Sequence, residues 1–271
     1  MDNDTTLEPV APISPVAPWV GGKKYLAKRL VPKIEAIPHR AYAEPFVGMG
    51  GVFFRRTQVP KIEVVNDLNR EVHNLFRILQ EHYVQFLDVL RWQITTRAEF
   101  ERLMKVDPAT LTDLQRAARF LYLQRTSFGG KVKGQTFGTC TTKGARFDVT
   151  KLQPLLEEAH QRLARVVVEN LPYADFIRRY DRPETLFYLD PPYWGCEGYY
   201  GKELFGRDEF QRLADQLRGL AGRFVLSMND VPEIREMFDW AEIEAVDVPY
   251  FVANARTTAR QRKGELIITG P

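Results

Sequence analysis

The sequence predicts an α/β protein with a mostly parallel central sheet flanked by helices. Three observations carry this. Short apolar, β-branched runs alternate with longer runs that place apolar residues at helical spacing. Some strand-like runs end in a glycine turn or a carboxylate, as strands do at the ligand-binding edge of such sheets. Between the strand-rich parts, at about 69–149, lies a segment of different character that reads as a helical and β-hairpin insertion.

The elements follow in order. Residues 1–17 are acidic and proline-rich and are expected to form a flexible tail; they lack the apolar core of a signal peptide. "KKYLAKRLVPKIEAI" places Leu26, Leu30, Ile34 and Ile37 at helical spacing, with Pro32 as a kink or break. "AYAEPF" is a strand, "VGMGG" a turn, "GVFFRR" the opening of a helix and "KIEVVND" the next strand. "NREVHNLFRILQEH" and "TDLQRAARFLYLQRT" are amphipathic helices, the second capped by Thr112 or Asp113. "SFGGKVKGQTFGTCTTKGARF" reads as an exposed hairpin or loop. From Thr150 onward helix and strand alternate again, the strands being "RVVVEN", "TLFYLD", "RFVLSM", "AEIEAVDV" and "GELIIT". The expected organisation is a core of 18–68 and 150–271 split by the insertion 69–149.

Composition narrows the class. No apolar run approaches the ~20 residues of a membrane span. Cys140 and Cys196 are the only cysteines and are far apart, so a reducing cytosol is expected and a metal site is not. His39, His73, His82 and His160 show no ligand spacing. The net charge of +3 is uneven: Arg116–Arg146 holds seven basic residues and no acid, and Pro249–Gly264 holds four and no acid. These are either two solvated loops or one surface for a polyanion.

Two motifs carry chemistry. "EPFVGMGG" ends a strand in glycines that allow a nucleotide-like group close to the backbone. Asp67 ends the next strand and could accept from ribose hydroxyls, cap the following helix, or do both. "LDPPY" delivers Asp190 to a strand end. Pro191 and Pro192 fix their carbonyls, and Tyr193 offers a flat face. A carboxylate, a carbonyl and a ring suit a planar group bearing NH2, such as a nucleobase with an exocyclic amine.

With these motifs in place, the chain resembles the Dam-type (D12 class, alpha group) DNA adenine-N6 methyltransferases, which use S-adenosylmethionine on a Rossmann-like fold. The segments "PWVGGKKYL", "EPFVGMGGVF", "VVNDLNREVHNLF", "FLYLQRTSFGG", "YADF", "LDPPY", "LSMND" and "RKGELIITGP" carry the resemblance, in the family's order. It implies that Trp19, Gly22 and Lys23 hold the methionine end of the cofactor and that Glu44, Pro45, Phe46, Gly48 and Gly50 wrap it. Asp67 binds its ribose, Asp175 and Phe176 lie at its adenine, and Asp190, Pro191 and Tyr193 hold the target base.

The resemblance also implies base flipping from duplex DNA, with the insertion as the target-recognition domain. Phe128 takes the place of the inserting aromatic. Lys131 and Lys133 read base edges or contact phosphates. Arg116, Arg119, Arg125, Lys143 and Arg146 contact phosphates, as do Arg256, Arg260, Arg262 and Lys263 near the flipped base. Thr126, Phe128 and Gly129 stand where the family's common Tyr and Asn occur, so GATC recognition is not carried over. Cytosine N4 or RNA adenine methylation, and a DNA-binding regulator on an inactive methyltransferase fold, are the competing readings.

Overall fold

The computed structural model describes residues 5–132, 134–138, 144–195, 205–250 and 261–270; the side chains of 248–250 and 261–263 lie outside that description. Its strands are β1 (Glu8–Pro9), β2 (Ala41–Glu44), β3 (Gln58–Val59), β4 (Ile62–Asn66), β5 (Val167–Glu169), β6 (Thr185–Leu189), β7 (Arg223–Asn229), β8 (Glu242–Tyr250) and β9 (Gln261–Gly270). The helices are α1 (Ala27–Ala36), α2 (Arg70–Glu81), α3 (Tyr83–Leu90), α4 (Arg97–Lys105), α5 (Asp113–Thr126), α6 (Val149–Leu163), α7 (Tyr173–Tyr180), α8 (Arg207–Arg218) and α9 (Pro232–Met237).

Seven strands form one sheet in the order β5-β4-β2-β6-β7-β9-β8. The first five are parallel; β9 runs antiparallel between β7 and β8. Alternation along the buried strands sorts the core into two layers. Tyr42, Val65, Leu186, Tyr188, Val225 and Ile267 face one way and meet α1, α2, α3, α5 and α6. Ala43, Val64, Phe187, Leu189, Phe224 and Ile268 face the other way and meet α7, α8 and α9. This is the predicted α/β class.

The long segment between β4 and β5 is an enlarged crossover between neighbouring parallel strands. Its helices α2, α3 and α5 share one apolar layer with α1, so the helical part of 69–149 is built into the common core. The helices α3 and α4 lie in a stretch that the sequence pattern left unassigned.

Two local expectations are corrected. "GVFFRR" opens no α-helix; Phe53–Arg55 is a single 3-10 turn, after which the chain turns into β3. The side chains of Phe53 and Phe54 are both fully buried, so this turn is spent filling the core. The expected loose tail is packed from Glu8 onward. β1 pairs with β3, the Ile13 N–H donates to Phe54 O at 2.7 Å, and Val16 is fully buried. The signal was present: prolines at 9, 12, 15 and 18 keep the three-residue period of an extended polyproline strand.

Pro32 neither breaks nor ends α1, which runs through it. The Thr112 side chain caps α5 in a reciprocal box with Gln115. Among the described residues, no helix is long and apolar enough to cross a membrane.

Candidate active site

The chain leaves β2 toward β4 and β5, then returns to β6 on the other side of β2. The carboxyl ends of β2 and β6 therefore flank the point where strand order reverses, the place where α/β sheets bind ligands. A cavity of about 460 Å³ opens there, of the size that small-molecule sites have. Trp19, Gly22, Lys23, Glu44, Pro45, Phe46, Gly48, Asp67 and Asp190 all line it.

Each wall has a local cause. Gly48 sits at φ +50°, and a Cβ there would lie 2.6 Å from the Trp19 indole nitrogen. Only glycine fits that backbone with the indole against it. The turn is braced from β4: the Gly48 N–H donates to Asp67 Oδ2 and the Asn69 N–H to Asp67 Oδ1, both at 2.8 Å. Burial pushes the Asp67 carboxyl up to about 6 against these two hydrogen bonds. Asn69, not Asp67, caps α2. Beside it, the buried Asn66 amide ties the end of β2 to the segment after β5, donating to Pro45 O at 2.9 Å and Leu171 O at 3.0 Å.

Glu44 and Asp190 end adjacent strands but meet different partners. Glu44 is 1% exposed and accepts from the Tyr42 hydroxyl at 2.6 Å. Burial pushes it up to about 8, the Tyr42 bond opposing and the Asp190 charge adding to the rise. The Tyr42 ring itself lies 3.8 Å from the Arg56 guanidinium, whose Nη1 donates to Glu63 at 2.7 Å. Asp190 pairs with Lys23 Nζ at 2.7 Å and accepts from Ser227 Oγ at 3.1 Å, both through Oδ1. Burial raises its pKa, and the Lys23 charge is the largest effect holding it down.

The residues after Asp190 form a fixed bracket. Pro191 and Pro192 are buried. The Tyr193 hydroxyl donates to Glu265 of β9, and its ring lies 4.7 Å from Lys23 Nζ. The Trp194 N–H donates to Asn229 Oδ1 at 3.0 Å, and the Asn229 amide donates back to Trp194 O at 3.1 Å. The Trp194 ring meets Phe210 edge-on at 5.0 Å, so it packs onto α8 beneath the loop.

Several predicted residues stand elsewhere. Gly50 (φ +70°) shapes the turn against Phe54 but is not part of the cavity lining. Asp175 lies on the outer side of α7, paired with Arg178, and Phe176 is fully buried in the α7–α9 layer. Leu171 and Tyr173, just before them, line the cavity instead.

The arginines expected at phosphates are mostly used inside the protein. Arg116 pairs with Glu71 and Asp113. Arg119 Nε donates to Leu103 O at 2.8 Å, and Arg146 Nη1 to Ser127 O at 3.0 Å. Arg125 Nη1 donates to Val16 O at 2.7 Å. A helix that packs on both sides turns part of its charge inward, which a count along the sequence does not see.

Phe128 is 43% exposed in the turn after α5, and Lys131 is exposed nearby. Lys133, Lys143, Arg256 and Arg260 lie outside the described residues. Arg262 and Lys263 belong to β9, opposite Pro249 and Val248, rather than to a loop. Residues that the sequence reading did not assign to the site include Asn66, Leu171, Tyr173, Ser227 and Glu265. Ser227 and Glu265 belong to strands paired beside β6 and β7, and only the sheet order brings them to Asp190 and Tyr193.

Comparison with known proteins gives the family. Residues 19–250 match the model of the D12 class N6 adenine-specific DNA methyltransferases. Type II methyltransferase M.CviBI of Paramecium bursaria Chlorella virus NC1A is 23% identical over 229 residues, covering 84% of this chain and 87% of the relative. Type II methyltransferase M1.LlaDCHI of Lactococcus lactis subsp. cremoris is 25% identical over 281 residues, covering 95% of each. The solved structure of precorrin 8W decarboxylase from Methanobacterium thermoautotrophicum overlays with a TM-score of 0.41 at 12% identity, over 97% of this chain and 100% of the other. That last likeness is too distant to bear on fold or function. The family match spans the Trp19 wall, the glycine turn, the whole crossover and the Asp190 bracket, and the chain belongs to the D12 class N6 adenine-specific DNA methyltransferase family.

Proposed function

We propose that the methyl donor is S-adenosylmethionine, bound in the 460 Å³ cavity, and that the acceptor is an adenine flipped out of duplex DNA. The observation that carries this reading is the Asp190 carboxylate. Among the described residues its partners Lys23 and Ser227 both engage Oδ1, and Oδ2 is left for an incoming amine beside the cavity.

The donor set fits this cofactor. Glu44 is a buried carboxylate whose hydrogen-bond partner is a neutral phenol, which suits the donor's ammonium group. Asp67 lies at the glycine turn for ribose hydroxyls, and Trp19, Phe46 and Tyr173 supply apolar wall. When bound, S-adenosylmethionine supplies an electrophilic methyl group on a sulfonium centre.

The chain's own residues act on the amine. Its lone pair is delocalised into the adenine ring and is a weak nucleophile. Asp190 Oδ2 and the Pro191 carbonyl accept its two hydrogens and favour a tetrahedral nitrogen, while Tyr193 backs the ring. Methylated as the donor's carbon–sulfur bond breaks and its electron pair goes to sulfur, the nitrogen would shed one proton, and Oδ2 would accept it. The Lys23 charge opposes the rise that burial produces in the Asp190 pKa, and that raised pKa favours the final protonation. Position and charge supply the catalysis, with no covalent enzyme intermediate.

Flipping costs a few kcal/mol of unstacking. Phe128 fills the vacated stack, and Lys131, Lys133, Lys143 and the basic residues at 256–263 contact the duplex. In this reading the outer part of 69–149, from Phe128 onward, recognises the target, and the protein works on DNA in the cytoplasm. GATC recognition is not carried over to this chain, whose target is a relaxed or different sequence in this reading.

The test is to titrate S-adenosylmethionine by calorimetry, then incubate protein, donor and plasmid and sequence the product for modified bases. N6-methyladenine in a defined double-stranded context is expected. Donor binding without any methyl transfer to duplex DNA refutes the reading.

A further inference from the structure

The segment before Trp19 does more than cross the surface. Ser14, Pro15, Ala17 and Pro18 line the same cavity as Glu44 and Asp67. The segment is held from both ends. On one side β1 pairs with β3, and the Ile13 N–H donates to Phe54 O at 2.7 Å. On the other, two consecutive residues in the last turn of α5 reach across to its carbonyls. Arg125 Nη1 donates to Val16 O at 2.7 Å, and Gln124 Nε2 donates to Pro18 O at 2.8 Å. The same Gln124 nitrogen also donates to Gly130 O at 2.6 Å.

Neither side chain is placed as a surface DNA contact would be. Gln124 is fully buried. Arg125 divides its guanidinium between two neutral backbone carbonyls, Val16 and Arg146, and itself lines the cavity. The packing leaves no slack: a Cβ on Gly130 would lie 3.0 Å from the Pro18 carbonyl carbon and from Trp19 N, and the Val20 N–H donates to Gly130 O at 3.0 Å. The segment therefore has a defined seat, and α5 supplies it.

We propose that residues 13–18 form the outer wall of the methyl-donor site, and that Arg125 and Gln124 are positioning residues that hold this wall over the bound donor. The inference rests on the reading of the cavity as the methyl-donor site. A wall fixed before the donor arrives adds no ordering cost to binding, and a released wall adds that cost back. Arg125 thus serves the donor rather than the DNA backbone.

The experiment compares wild-type protein, Arg125→Ala and Arg125→Lys. S-adenosylmethionine affinity is measured by calorimetry, and duplex affinity across a salt series. Arg125→Ala is expected to weaken donor binding by about tenfold, Arg125→Lys to recover part of that, and both to keep the wild-type slope of log K against log salt. If wild-type protein and Arg125→Ala bind the donor equally, and the slope falls by about 1, Arg125 is a phosphate contact and the wall is refuted. If wild-type protein binds no donor, the reading of the cavity fails and takes the wall with it. Hydrogen exchange on the full wild-type chain tests the wall without a variant. Peptides covering residues 8–20 should already be protected without donor, and exchange there as fast as in an unfolded chain overturns the proposal.

Discussion

The sheet edge and helix α5 treat charge in opposite ways. At the sheet edge, Glu44, Asp67 and Asp190 end three neighbouring parallel strands, and all three line one cavity. Along α5, Arg116, Arg119 and Arg125 sit in a run of basic residues without acids, yet each engages a carboxylate or carbonyl of the protein itself. A parallel strand has one carboxyl end, so a residue placed there has little choice of surroundings. A helix packed between other elements offers several faces, and the pattern of charges alone does not say which one meets solvent. Position on a strand therefore predicts a residue's surroundings well, and charge density on a buried helix predicts them poorly.

The sharpest way to break that contrast is at Asp190. Asp190→Ala should cut methyl transfer by about 100-fold or more, the scale seen when a positioned polar group is removed from a reacting centre. Circular dichroism and donor binding should stay near wild type. Turnover above about a tenth of wild type would mean that the strand end does not hold the amine.

Glu44 gives a pH-dependent form of the same test. Its folded pKa is raised to about 8, well above the ordinary carboxylate range. The folded protein keeps a proton that the unfolded chain has lost, so the associated stability is present at low pH and is lost as pH rises through about 8. Asp67, pushed to about 6, contributes only at lower pH. Without donor, wild-type stability should fall between pH 7 and 8 by up to about 1 kcal/mol. Glu44→Gln should flatten this slope in thermal melts while weakening donor binding. An equal slope in the two proteins would show that Glu44 is ionised throughout.

A further test separates the helix from the loop after it. Lys131→Ala should lower the salt slope of duplex binding by about 1 and leave the melting temperature unchanged. Arg119→Ala should do the reverse, leaving the slope intact and costing stability of roughly 1–3 kcal/mol as the Leu103 carbonyl loses its charged donor. If Arg119→Ala changes the slope and not the melting temperature, the inward assignment of α5 is wrong.

Much of this was legible beforehand because the signals are local. Strand and helix periods, the glycine turn, and a carboxylate followed by two prolines are all set within a few residues, and they located the sheet and the Asp190 bracket. The packing of the N-terminal segment is hidden in the sequence because proline-rich composition reads as loose chain, although the three-residue proline period and the apolar Ile13 and Val16 point the other way. The family resemblance implies a place at the cofactor for Asp175 and Phe176, but the short α7 turns one outward and the other into the core.

By itself the sequence determined the α/β class, the residues at the strand ends and the family's chemistry, because these depend on covalent order and short-range periodicity. Only the tertiary structure decided what meets across that order. It set Lys23 on Asp190, Ser227 and Glu265 around the bracket, Tyr42 on Glu44, and Arg125 on the carbonyl of Val16. These pairings join residues from different strands and helices. They exist because the order β5-β4-β2-β6-β7-β9-β8 and the packing of α5 close those distances, and no local rule encodes that order.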